Sequence, residues 1–279
     1  MTRNVKLGQL FRDLWTVLRL QALNILPVLI ATVLVITAVQ IGLSAIFEPS
    51  NANPISIVTT VLMIAPVGVL FYRRGLGIQT TGGWISTSWS LATAQLLVFL
   101  LFAILSVFSL MFLVTLTGII AAAGGFDPAA INFDALELGG AATSLGAAGT
   151  LILSAIVIVC ICALMWVSTR LVMFGVATVA ERRVMVFRTW PWSKGNAFKI
   201  GIFYLVVLTP IVTLLIGLHF STGQLNAPEI ASSAFESWLT RFLSTGLGII
   251  LIFLIGHAAA LAVYRQLAPE PASSDEALT

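Results

Sequence analysis

A cluster of charged and indole-bearing residues between positions 170 and 196 offers the chain's clearest candidate chemistry. Arg170 lies late in an apolar run, Glu181 ends that run, and two adjacent arginines follow. Guanidinium and ammonium groups beside tryptophan suit phosphate or carboxylate binding where a chain leaves a bilayer. We therefore predict an anion- or lipid-binding site formed by Arg170, Glu181, Arg182, Arg183, Arg188, Trp190 and Lys194.

Two interpretations stay open for Arg170. Its guanidinium either snorkels to a lipid phosphate or faces the bundle interior, where it would bind an anionic ligand. Glu181 follows eleven residues later, close to three helical turns, so a continuous helix would carry both residues on one side. The two would then be about 16 Å apart, too far for a direct ion pair.

The spacings of familiar catalytic sites are missing from the sequence. It contains no His-Glu-x-x-His helix, no Gly-x-Ser-x-Gly elbow and no phosphate-binding glycine loop. His219 and His257 have no acidic partner in a span, and Cys160 and Cys162 point to different faces of one predicted helix. We therefore predict a protein that is not an enzyme, with no catalytic residues, no cofactor and no metal site.

Composition points to lipid as the solvent of this chain. Of its 279 residues 59% are hydrophobic and 9% are charged, and the mean hydropathy is +1.05. Average soluble domains carry about 25% charged residues. A soluble core of this size could not bury so much apolar surface, so the composition predicts an integral membrane protein.

Six apolar runs are each about long enough for a membrane-spanning helix, which takes about 20 residues. A polar segment with two prolines, residues 48–54, separates the first two runs. The third and fourth exceed one bilayer thickness, so they must tilt, bend or project. The pattern predicts an all-α six-helix bundle with spans at 23–47, 55–72, 91–122, 150–180, 200–220 and 242–264.

Basic residues near the ends of the spans predict the orientation. Thirteen of the 14 lysines and arginines fall on one side of the predicted spans, and only Arg241 falls on the other. Because basic residues are retained in the cytoplasm, both termini are predicted to be cytoplasmic. We expect a multi-pass protein of a bacterial cytoplasmic (inner) membrane.

Amphipathic segments flank the predicted membrane domain, residues 21–265. Residues 1–20 repeat apolar positions at three- and four-residue steps, which predicts a helix in the headgroup plane. That helix would be either a topology anchor or a docking element for a protein partner. A second interfacial helix is predicted outside the membrane, starting near Pro228. The acidic tail, residues 266–279, is predicted to be disordered.

An arginine pair followed by tryptophans occurs twice in the chain. Arg73-Arg74 precedes Trp84 and Trp89 much as the later arginine pair precedes Trp190. The layout indicates either a weak internal repeat or the similarity that positive-inside sorting gives to any two cytoplasmic connections.

The stretches Ser168–Arg170, Val179–Glu181 and Arg188–Asn196 resemble a signature of bacterial membrane proteins. That group includes the membrane domain attached to some glycerophosphoryl diester phosphodiesterases and related six-span inner-membrane proteins of unknown function. The matching positions here are Arg170, Glu181, Arg188, Trp190, Lys194 and Gly195, and Pro191 departs from the pattern. The resemblance implies an all-α integral membrane fold and no established activity, because the phosphodiesterase domain is not expected in this chain.

Two main functions follow as hypotheses, and a membrane enzyme with an unrecognised site is a third, less favoured one. The first is a non-enzymatic scaffold or accessory protein that binds membrane lipids, anionic ones included, a protein partner or a second copy of itself, but no nucleic acid. The alternative is a transporter or lipid-handling protein with a cavity near Arg170. An interior, solvent-connected cavity that reaches Arg170 would favour the alternative, and a solid, lipid-filled surround would favour the scaffold.

Overall fold

The computed structural model describes residues 4–46, 49–78, 82–123, 138–223, 242 and 246–268. Over these ranges the chain is helical and contains no strand, which confirms the all-α prediction. The helices are α1 Leu7–Ile46, α2 Pro49–Leu76, α3 Trp84–Ala123, α4 Leu138–Leu171, α5 Phe174–Glu181, a 3-10 helix Phe187–Ser193, α6 Ala197–Gly223 and α7 Leu247–Leu267.

Within the described ranges, six helical segments are long and apolar enough to cross a membrane, which confirms the six-helix, multi-pass prediction. A spanning helix satisfies all its backbone hydrogen bonds internally, and this is what lipid requires. The segments are Leu7–Leu43, Pro54–Leu76, Trp84–Ile120, Leu151–Glu181, Ala197–Leu218 and Leu247–Leu267.

The first span begins earlier than the sequence predicted. The amphipathic helix expected over residues 1–20 and the span expected from residue 23 form one helix of 40 residues, α1. No glycine or proline lies between Gly8 and Pro27, so nothing in the sequence ends the helix there. The apolar stripe of its first turns, which includes Leu10, Leu14 and Val17, is buried against the rest of the protein.

Two other predicted boundaries differ in the structure. The polar segment 48–54 was predicted as a turn, but α2 begins at Pro49 and includes Pro54. Pro49 lies in the first turn, where the missing N–H of proline has no intrahelical acceptor, whereas Pro54 lies in the second turn and leaves one carbonyl of the first turn without its helical hydrogen bond. The fourth span is not continuous, because α4 ends at Leu171 and α5 begins at Phe174. The predicted external helix near Pro228 and most of the predicted tail lie outside the described residues.

The chain divides into two compact units. The first comprises Met1–Leu97 and Thr169–Thr279, and the second comprises Val98–Ser168. In the first unit α7 is the central helix, since it packs against α1, α2, α5 and α6. A run of small and apolar residues from Ala258 to Val263 is buried on every side of α7. In the second unit α3 and α4 expose apolar side chains such as Phe108, Met111 and Val159, which suits a lipid surround.

Close packing in the first unit depends on glycine at position 75. A Cβ on Gly75 would overlap Cδ2 of Leu261, a side chain that is itself fully buried. The side-chain amide of the neighbouring Gln21 is oriented so that its nitrogen and its oxygen are both hydrogen-bonded. The nitrogen donates to Phe71 O at 2.9 Å, and the oxygen accepts from Gly75 N at 2.8 Å. This amide therefore joins α1 to the last turn of α2.

Contacts at one end of the first unit bring together four parts of the chain. Val5 N donates to the buried Asn196 Oδ1 at 3.0 Å, just before α6. Lys6 N donates to Gln266 Oε1 at 3.3 Å, at the end of α7. Arg265 Nη2 donates to Gly75 O, near the end of α2. The N-terminal segment and the end of the last span thus meet at the same end of this unit.

Candidate functional site

Arg170 joins the end of α4 to the 3-10 helix. Its Nη1 donates to Trp190 O and to Ser193 Oγ, both at 3.4 Å. The guanidinium carbon lies 5.9 Å from the centroid of the Trp190 ring, within cation–π range. The structure therefore brings two predicted site residues, Arg170 and Trp190, into contact, and it uses the arginine to hold the segment that follows the span.

The first arginine pair is used in a similar way. Arg73 is buried, and its Nη2 donates to Gly82 O at 3.2 Å and to Thr87 Oγ1 at 3.1 Å. Each arginine thus donates to one main-chain carbonyl and one hydroxyl of the segment after its helix. Such charge-assisted bonds fix the path of a connection between two spans.

Glu181 lies at the end of α5, and the helix break separates it from Arg170. The predicted placement of both residues on one side of a continuous helix is wrong, because residues 172–173 interrupt that helix. Glu181 Oε2 instead accepts from Arg183 Nη2 at 3.5 Å, with both side chains largely exposed. An exposed pair of this kind contributes little to stability. Arg182 has a left-handed backbone, φ 54°, which turns the chain away from α5.

The segment from Arg182 to Phe198 presents cations and apolar side chains together, and we call it the basic surface. Its exposed bases are Arg182, Arg183, Arg188 and Lys194. Its exposed apolar side chains are Val184, Phe187 and Phe198. Alternating bases and aromatic rings match the headgroup region of a bilayer, where rings enter the acyl boundary and bases face phosphates.

A cavity of about 640 Å³, which was not predicted from the sequence, lies in the first unit. It is bordered by α2, the first turns of α3, α5, α6 and α7. Most of its described lining is apolar, for example Ile64, Phe174 and Ile249. Four polar side chains also line it: Tyr72, Gln95, Tyr204 and His257.

Aromatic stacking fixes His257 in the cavity wall. Its ring stacks on Phe253 with centroids 3.9 Å apart and on Tyr72 with centroids 4.9 Å apart. Its Nδ1 lies 2.9 Å from Phe253 O. In the neutral ring Nδ1 then carries the proton and Nε2 is an acceptor.

Glycines shape the wall of the cavity. A Cβ on Gly175 would lie 3.1 Å from the Tyr72 hydroxyl, so the missing side chain lets this tyrosine pack against α5. A Cβ on Gly256, in contrast, would have no atom within 4 Å. Gly256 therefore leaves open space on the face of α7 that borders the cavity.

The sequence did carry a signal for this cavity. Tyr72, Gln95, Tyr204 and His257 all lie in or near apolar spans, where polar side chains are costly and commonly functional. Of these four residues only His257 was considered from the sequence, and it was set aside because no span supplies it with an acidic partner. Sequence distance conceals that these four residues, on four different helices, line one space.

Metal binding has no candidate in the part of the chain that the structure describes. No group of three or more histidine, cysteine or acidic side chains there is arranged to hold an ion. Cys160 and Cys162, on α4, are free thiols.

No family model, curated protein or solved structure matches this chain. The resemblance to the membrane domain of phosphodiesterases therefore remains a prediction.

Proposed function

We propose that this multi-pass membrane protein is a lipid-handling protein that holds a lipid-like amphiphile inside its helical bundle. The observation that supports this proposal is the cavity between α2, α5, α6 and α7. Its volume of about 640 Å³ falls in the range of ligand sites, about 300–1,000 Å³. A mainly apolar lining with a few polar atoms suits a ligand with an apolar body and a polar end.

The membrane itself is the source of ligand that this proposal implies. Ile252 lines the cavity and is 49% exposed, so the space extends to the surface of a spanning helix. An amphiphile already dissolved in the bilayer could enter there without crossing water. His257 precedes Arg265 by eight residues, which places the polar part of the cavity about 12 Å from the basic end of α7.

This proposal favours the lipid-handling alternative over a scaffold alone. The cavity differs from the one expected at Arg170, because Val172 lines it and Arg170 does not. The Arg170 guanidinium instead contacts Trp190 and Ser193. The role that we propose is binding or transfer without chemistry. Anion binding by Arg170 stays a separate prediction.

The basic surface supports a second contact with lipid. We propose that its exposed bases and rings face the anionic headgroups of a bacterial inner membrane, with both termini cytoplasmic. This orientation is supported by the distribution of basic residues, because thirteen of the 14 fall on one side of the predicted spans. A protein partner or a second copy on this surface is the competing interpretation.

Filling the cavity tests the proposed function. In Gly256→Leu the new side chain enters open space, so the fold should persist while the ligand is excluded. Gly42→Leu is the matched control, because Gly42 is an exposed helical glycine whose added Cβ would also have no atom within 4 Å. We expect lipid that copurifies with the protein to fall about tenfold in Gly256→Leu, equivalent to about 1.4 kcal/mol of binding.

The measurement is native mass spectrometry after mild detergent extraction, with thermal unfolding as the check on folding. Equal amounts of bound lipid in Gly256→Leu and Gly42→Leu would rule out the cavity as the binding site.

A further inference from the structure

The basic surface carries an excess of positive charge. It has four exposed bases, and the segment from Arg182 to Phe198 contains no acid. The acid that precedes it, Glu181, pairs with Arg183 at 3.5 Å. Four bases against this one acid leave a net charge of +3. A surface with such an excess attracts an anionic segment.

The acidic tail carries the opposite charge in the same amount. Its acids are Glu270, Asp275 and Glu276, and it contains no lysine, arginine or histidine, so its side chains carry a net charge of −3. Six of the 11 acids of the chain lie in connections predicted on the opposite side of the membrane. Those six cannot reach the basic surface, which leaves the tail as the main source of negative charge on its side.

The end of α7 places the tail beside the basic surface. The ring of Tyr264, in the last turn of α7, lies 6.0 Å from the ring of Trp192, two residues before Lys194. An extended chain covers about 3.3–3.6 Å per residue, so the eight residues from Leu267 to Asp275 reach up to about 29 Å. A tether this short keeps the acids near the bases at an effective concentration in about the millimolar range.

A polar groove of about 510 Å³ also lies near the start of the tail. Lys6, Asp13 and Arg265 are among the residues that line it. Asp13 would repel the acids of the tail, and Arg265 already donates to Gly75 O. The groove therefore offers the tail less positive charge than the basic surface does.

We propose that the acidic tail docks on the basic surface through residues 269–279 and competes there with anionic lipid. Exposed ion pairs and contacts between bases and anionic headgroups are individually weak, so the two occupants exchange readily. The tail docks while the surrounding lipid is neutral, and anionic lipid displaces it. The competition rests on the proposed contact of the basic surface with anionic lipid, whereas the docking of the tail does not.

Cross-linking with a carbodiimide tests the docking, because the reagent joins a lysine amine to a carboxylate with which it is in contact. The chain has three lysines, Lys6, Lys194 and Lys199, so each position of the tail gives a different product. The full chain would be placed in phosphatidylcholine nanodiscs with one copy in each, and products would be mapped by peptide mass spectrometry. We expect the tail acids to join Lys194. Products at Lys6, in the polar groove, or at Lys199 in place of Lys194 overturn the docking.

A pair of variants separates docking from nearness along the chain. The variant Arg182→Gln, Arg188→Gln removes two bases of the surface and keeps Lys194, so the yield at Lys194 should fall about threefold, as expected for two exposed ion pairs. The variant Arg12→Gln, Arg74→Gln is the matched control, since both are exposed bases outside the basic surface. Its yield should equal that of the unaltered protein. Equal yields in the two variants overturn the docking.

Phosphatidylglycerol tests the competition. Replacing part of the phosphatidylcholine with phosphatidylglycerol should lower the yield at Lys194 at least about threefold. The variant Glu270→Gln, Asp275→Asn, Glu276→Gln should retain about threefold more phosphatidylglycerol than the unaltered protein in native mass spectrometry.

The outcomes separate this inference from the proposed function. A yield at Lys194 that persists in phosphatidylglycerol overturns the competition, and so does equal retention of phosphatidylglycerol by the tail variant. If the unaltered protein still retains phosphatidylglycerol in that case, the proposed contact with anionic lipid stands without the tail as its competitor. If it retains none, the proposed lipid contact of the basic surface fails as well.

Discussion

Arg170 illustrates, at the scale of one residue, how a membrane arginine is accommodated. The sequence left open whether its charge meets a lipid phosphate or the bundle interior. In the structure its Nη1 donates to Trp190 O and Ser193 Oγ. Backbone and hydroxyl oxygens thus solvate part of the guanidinium, which lowers the cost of placing it near the end of a span.

Arg170→Ala should loosen the 3-10 helix without preventing membrane insertion. The variant removes two hydrogen bonds from a charged donor and the contact with the Trp190 ring. Since such bonds are worth about 1.5–3 kcal/mol when well formed, and these are long, we expect local stability to fall by about 1–2 kcal/mol. Hydrogen exchange of Phe187–Ser193 would measure the change.

Arg188→Ala is the control for this experiment, because Arg188 is an exposed base on the same helix. Its exchange rates should match those of the unaltered protein. Unchanged protection in Arg170→Ala would show that the 3-10 helix is held by other contacts.

At the scale of elements, the connection between the fourth and fifth spans is a folded segment with a buried and an exposed side. Thr189 and Ser193 are buried, and the Trp192 and Tyr264 rings lie 6.0 Å apart. Phe187 is 61% exposed and Phe198 is 80% exposed, which is unusual for large apolar side chains facing water. Their exposure beside bases is what a membrane surface would cover.

Neutralising the basic surface should reduce its affinity for anionic lipid. The variant Arg182→Gln, Arg188→Gln, Lys194→Gln leaves the Glu181–Arg183 pair in place. Each base near an anionic surface contributes about 1 kcal/mol, so retention of phosphatidylglycerol should fall at least about tenfold at low salt. Retained lipid would be counted by native mass spectrometry.

Phosphatidylcholine provides the internal control, since its headgroup has no net charge and its retention should not change. If phosphatidylglycerol is retained equally by the variant and the unaltered protein, a protein partner becomes the better interpretation of this surface.

At the scale of the whole molecule, the described residues include six helical segments suited to spanning a membrane, and an even number of crossings returns the chain to its starting side. Hydrogen bonds in the structure agree with this even number of crossings. Val5, Gly75 and Asn196 all form hydrogen bonds at the end of the first unit where α7 ends. The sequence places nearly all bases on this same side.

Single-cysteine labelling would test this topology. In a Cys160→Ala, Cys162→Ala background, Arg74→Cys and Arg188→Cys should react with an impermeant maleimide only after the inner face is opened. Asn51→Cys, between the first two spans, should react from outside in intact cells. Labelling of Arg188→Cys from outside would reverse the orientation, and labelling of Arg74→Cys and Arg188→Cys from opposite sides would contradict the six-span count.

The sequence by itself determined the class of this protein and most of its spans. An apolar run of this length in lipid must form a helix, because only a helix satisfies its backbone hydrogen bonds within the segment itself. This requirement does not depend on which helices pack beside it. Boundaries were less predictable. The helix breaks between Leu171 and Phe174, although neither residue 172 nor residue 173 is a glycine or a proline. Conversely, α1 continues past residue 20, and this continuity depends on the burial of Leu10 and Leu14.

The tertiary structure alone decided where the candidate binding site lies. Arg170 and Trp190 were predicted together from sequence proximity, and the structure places them in contact. The cavity was not predicted, because Tyr72, Gln95, Tyr204 and His257 are distant in sequence and lie on four helices. Hydrophobic periodicity reports which residues avoid water, but it cannot report which polar side chains from different helices share one space.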